Sequence, residues 1–75
     1  MRNVEEYWTL EDLFYNSEDL SYGDVRQWVK MRYPHLKNGA LERQVDVVFG
    51  IYDGWKQGTF FVNGDNVGLR QWRSS

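Results

Sequence analysis

Three acidic pairs, Glu5-Glu6, Glu11-Asp12 and Glu18-Asp19, are the first residues in the chain whose types could do chemistry. Paired carboxylates act as general acid and base where a cleft drives their pKa values apart. Spacing alone builds no cleft, so the pairs read as a solvated helix face. The functional alternative for that face is docking on a basic partner surface or imitation of nucleic-acid phosphate. The single histidine, His35, follows Pro34 in a turn and has no acid or cysteine at metal-ligand spacing. There is no cysteine, which removes thiolate nucleophiles, disulfides and thiolate metal sites together. Gly64-Asp65-Asn66 lacks the spacing of a calcium loop and fits a tight turn better. No glycine-rich phosphate loop opens a helix. The expectation is a protein that is not an enzyme, with no catalytic residue, metal, cofactor or small-molecule substrate.

The charge is divided along the chain. Residues 1–24 carry seven acids and one base, a balance of −6, while residues 25–75 carry eight bases and four acids, a balance of +4. Such asymmetry points to two faces with different preferences, against a bland reading as ordinary solvated surface. The net charge of −2 argues against a strong nucleic-acid binder. No apolar run approaches the roughly 18 residues of a membrane span. The start "MRNVEEYW" turns acidic at once and resembles no signal peptide, so a cytoplasmic location is expected.

At 75 residues the chain makes one domain, 1–75. So small a domain buries only about 60% of its unfolded surface. Four Trp, five Tyr and four Phe compensate, and most of them read as core.

The elements that must position these residues are punctuated clearly. Thr9 caps a short first helix, with Asp12 three residues on and Trp8 and Leu13 as a hydrophobic staple. Ser21, Asp24, Leu20 and Val25 repeat that grammar at a second helix, which Pro34 ends at Tyr33. Asn38-Gly39 marks a turn, and a third helix begins near Ala40. Leu41, Val45, Val48, Phe49 and Tyr52 share one face of it, and Gly54 is placed to end it in the left-handed conformation. Residues 59–62 and 67–72 then read as two strands. A loop of Asn63 to Asn66 opposes Val62 to Val67, an apolar pair, with Phe60, Val62, Val67 and Leu69 turned to the core. Asp19 to Tyr22 could add a minor third strand.

The predicted fold is therefore α+β: three helices followed by a β-hairpin wing, a winged helix-turn-helix. "LSYGDVRQWV", "LERQVDVVFGIYDGW" and "GTFFVNGDNVGLRQW" together resemble the N-terminal domain of the delta subunit of bacterial RNA polymerase, and the wider HARE-type winged helix-turn-helix domains. The resemblance covers residues 20–73. Its most specific part is the ending, carried by Gly58, Phe60, Gly64, Asp65, Asn66, Gly68, Leu69, Arg70 and Trp72. Val67 stands where the family has an aromatic, the loop is one residue shorter, and the acidic tail of delta has no counterpart. The resemblance implies a role in transcription, by docking on core RNA polymerase or by contact with DNA.

In many helix-turn-helix proteins the third helix reads the major groove. Here the side opposite its core face centres on Arg43, Gly50 and Gly54, flanked by Asp46 and Val47, a poor reading surface. Lys37, Arg43, Lys56 and Arg73 are candidates to converge on one side and touch phosphate, which positions without specifying sequence. Arg70, Trp72 and Arg73 at the base of the hairpin are candidates to anchor a protein partner. The favoured partner is the RNA polymerase core; DNA, or a partner outside transcription, is the alternative.

Overall fold

The computed structural model describes residues 4–69. A 3-10 turn at Val4–Glu6 leads into α1 (Leu10–Tyr15), α2 (Tyr22–Arg32), α3 (Asn38–Lys56), β1 (Phe60–Asn63) and β2 (Asn66–Leu69). Three helices followed by an antiparallel hairpin give a winged-helix-like layout, as predicted.

The helix starts follow the local chemistry. Thr9 accepts the Asp12 N–H, and Ser21 and Asp24 form a complete capping box at α2. Leu20 and Val25 are both buried, as a staple requires, but Trp8 is 79% exposed and takes no such part. Tyr33 ends α2, its N–H donating to the Val29 carbonyl at 2.8 Å, because Pro34 bars the next turn.

Both ends of α3 lie beyond the predicted bounds. It begins at Asn38 with Lys37 as N-cap, so Asn38-Gly39 is the first turn of the helix rather than a separate loop. The first N–H groups of a helix need no intrahelical partner, so poor helix formers are tolerated there. At the other end α3 passes through Gly54 to Lys56. Gly58, at φ 84°, takes the left-handed position. Its N–H donates to the Trp55 carbonyl and that of Thr59 to the Gly54 carbonyl, the Schellman pattern. Gly54 serves a different end: a Cβ there would lie 2.4 Å from the Phe60 ring, so the missing side chain lets the hairpin seat on α3.

The core gathers Leu13 and Phe14 of α1, Val25, Trp28 and Val29 of α2, and Leu41, Val45, Val48 and Tyr52 of α3, closed by Val4, Leu20 and Val62. Tyr52 is central. Its ring lies 5.2 Å from that of Phe14, and its hydroxyl accepts the Leu20 N–H at 3.0 Å. That bond explains why Asp19 to Tyr22 forms no third strand. Asp19 turns at φ 53°, and the backbone donor that follows is taken by a side chain instead of a ladder.

In the hairpin Val62 pairs with Val67 as expected, and Phe60 with Leu69. Asn63 and Asn66 also pair, so the turn is only Gly64-Asp65. Gly64 at φ 61° followed by a residue of negative φ fits the II′ hairpin turn. Val62 is buried, but Val67 is 37% and Leu69 67% exposed. The expectation that all four apolar positions reach the core is corrected. β1 packs on α1 and α3, and β2 flanks it on the outside.

Candidate interaction surface

The predicted basic residues do not form one patch. Lys37 is the N-cap of α3 and Lys56 its last residue. At a rise of 1.5 Å per residue they stand about 28 Å apart. Arg43 is exposed near the N-terminal end of the same helix. Lys56 lies 3.8 Å from Asp19 and over the Tyr52 ring. Lys37 and Arg43 have no ion-pair partner among the described residues. Arg70, Trp72 and Arg73 lie outside the described residues.

The outward side of α3 is only partly as predicted. Arg43, Asp46, Val47 and Gly50 are exposed, while Gly54 is covered by Phe60. Its acids are engaged with α2. The Tyr22 hydroxyl donates to Asp46 at 2.8 Å and stands 3.3 Å from Glu42, and Arg26 pairs with Glu42 at 2.9 Å. The hydrogen bond to Asp46, then partial burial and the two negative charges, pushes the Tyr22 phenol from 10.0 up to about 12. The first half of α3 thus presents carboxylates alongside Arg43, an arrangement that opposes phosphate.

Three residues that matter most here escaped the sequence reading of the site. Asp65, in the hairpin turn, accepts the Leu10 N–H at 3.2 Å through one oxygen and pairs with Arg32 at 2.5 Å through the other. Glu11 accepts the Gly64 N–H at 2.8 Å and donates its own N–H to the Gly64 carbonyl at 3.0 Å. The wing tip therefore caps the first turn of α1, whose N–H groups would otherwise lack partners. A turn rich in Asp and Asn was the available signal. The partners lie more than fifty positions away, which no local pattern reveals.

Between α3 and the latched hairpin runs an apolar groove. Val47 is 49% exposed on one side, Val67 37% on the other, with Ile51 and Tyr33 half-buried between them. A second open groove, of about 730 Å³, lies between the 3-10 turn, α2 and the wing tip and shares Trp28, Tyr33 and Asp65 with the first. Among the described residues no group of three or more His, Cys, Asp or Glu is placed to hold a metal ion. His35 is exposed, with its ring 6.4 Å from that of Tyr33.

The fold and this surface define a winged-helix-like α+β domain whose wing is tied down and whose third helix shows apolar and acidic groups outward. Comparison with protein-family models, with curated proteins and with solved structures finds no match. No helix of the described residues is long and apolar enough to cross a membrane.

Proposed function

We propose that this chain is a non-enzymatic, transcription-associated module that docks on core RNA polymerase through protein contacts. The observation that carries the reading is the groove beside α3, where Val47, Ile51 and Val67 stand in place of base-reading or phosphate-binding side chains. Exposed apolar groups rimmed by polar ones favour a protein surface over a nucleic acid. The tethered wing adds support, since its tip is engaged with Leu10, Glu11 and Arg32 and carries no cation. The polymerase is chosen as partner on the resemblance of the hairpin ending to the delta subunit.

One observation favours a second reading, weak phosphate-directed DNA binding. Lys37 and Arg43 are exposed on the N-terminal part of α3 with no ion pair among the described residues. Both readings meet the same test. Purified bacterial core RNA polymerase should bind the chain without DNA, and Val47→Glu should abolish binding while leaving the fold intact by circular dichroism. No binding to the polymerase, together with salt-resistant DNA binding lost in Arg43→Ala, would reverse the order of the two.

A further inference from the structure

Trp8 stands 79% exposed on the groove between the 3-10 turn, α2 and the wing tip. An indole left in water on so small a domain is surface that folding has not used. The groove around it holds a chemical precedent. The Arg32 guanidinium lies 5.1 Å from the centre of the Trp28 ring and 5.9 Å from that of Tyr33, with the Asp65 carboxylate closing the set. Ring faces and a carboxylate already accommodate one planar cation here. Met31, 42% exposed, lines the same groove and adds an adaptable apolar contact.

The charge around Trp8 is one-sided. Residues 4–24 contain seven acids and no base, and Glu5 lines the groove itself. Arg32, the cation on the opposite wall, is matched by Asp65. An exposed indole beside carboxylates attracts a guanidinium through both its ring quadrupole and the local field. The same field opposes a phosphate backbone, so stacking of a nucleic-acid base on Trp8 is disfavoured.

Resting on the protein-docking reading, we propose that this groove takes an arginine side chain from an extended basic segment of the partner protein, stacked on Trp8 and drawn in by the acidic wall. The proposal gives the charge asymmetry of the sequence a use. The acidic part of the chain is the attracting surface, and its aromatic group is the anchor.

The probe is a short, unstructured arginine-glycine repeat peptide, titrated by calorimetry with amide and indole shifts followed by NMR. The peptide should bind, shift the signals of Trp8, Met31 and Arg32, and weaken with salt. Trp8→Ala should weaken it at least about tenfold. Tyr15→Ala is the matched control: Tyr15 is 62% exposed and lines a different depression with Trp55 and Gly58, so binding should persist. Because Trp8 is so exposed, its removal should leave the melting temperature nearly unchanged, which separates lost contact from lost fold. Absence of binding, binding indifferent to Trp8→Ala, or tighter binding of a single-stranded oligonucleotide or an uncharged proline-rich peptide each overturns the proposal. Polymerase binding that survives Trp8→Ala would overturn this groove and leave the docking function standing. Peptide binding through Trp8 with no polymerase binding would do the reverse.

Discussion

Tyr22 sits where two helices bring their charges together. Its hydroxyl bridges α2 to Asp46 and Glu42 of α3, beside the Arg26–Glu42 pair. The phenol is raised to about 12 because the neutral form donates a hydrogen bond that the phenolate would turn into repulsion. The consequence for stability follows from proton linkage. Below pH 10 both folded and unfolded chains keep the proton, and the contribution is fully present. Between about pH 10 and 12 the unfolded chain releases it first, so stability falls as pH rises. Tyrosinate absorbance should show one tyrosine titrating near pH 12, and Asp46→Asn should bring it back toward 10. The stability advantage over Tyr22→Phe should shrink through the same window in thermal melts. An unchanged difference across that window would refute the bridge.

At the scale of elements, the wing and α1 stabilise each other. The first turn of α1 lends its Leu10 and Glu11 N–H groups to Asp65 and Gly64, and Glu11 returns an acceptor to Gly64. The ion pair alone is worth little, because the Asp65 side chain is 46% exposed and surface pairs contribute about 0–1 kcal/mol. The lost helix-end acceptor adds about 1 kcal/mol. Asp65→Ala should therefore cost about 1–2 kcal/mol, which lowers the melting temperature of a domain this size by roughly 5–10 °C. Backbone relaxation of residues 63–66 should show faster motion in the variant. A melting temperature within about 1 °C of wild type would mean the latch contributes nothing. α1 has only six residues, too short to persist alone in water, so its dependence on the wing tip is expected.

The legibility of these elements divides along the same line. Ser21, Asp24 and Leu20 announced α2 because a capping box and a staple are local, needing residues three to five apart. The Val62–Val67 register was readable because apolar residues had to face each other across a short turn. The two ends of α3 and the missing third strand were not readable. Gly54 looks like a helix stop until Phe60 is seen to require the space, and Asp19 to Tyr22 looks extended until the Tyr52 hydroxyl claims its backbone. Each miss is a contact between residues distant in sequence overruling a local preference.

Across the whole molecule, charge decides between partner classes. Lys30, Lys37 and Arg43 have no ion pair among the described residues, whereas Arg26, Arg32 and Lys56 have carboxylates within 4 Å. Three free cations imply a salt slope for duplex DNA no steeper than about −3, since each phosphate contact contributes about −0.9. Fluorescence anisotropy at several salt concentrations should give weak binding with such a slope and little sequence preference. A slope near −6, or marked selectivity, would argue for DNA as the principal partner. The separation of Lys37 from Lys56 along α3 limits how many of these cations one short site can engage.

The fold class was present in the order of caps, periodic stripes and turn residues, because those signals act over a few positions and tertiary packing reinforced them. The α+β layout of three helices and a hairpin follows from them directly. The composition of the surface was not present there. Lys37, Arg43 and Lys56 looked alike as letters, yet a straight helix holds the first and last apart while Asp19 and Tyr52 occupy the third. Asp65 looked like a turn residue and proved to be the joint between wing, α1 and α2. Trp8 looked like part of a staple and proved to stand in water beside a groove. Burial and charge pairing depend on residues that folding brings together from opposite ends of the chain, and this is why the interaction surface emerged only with the packed molecule.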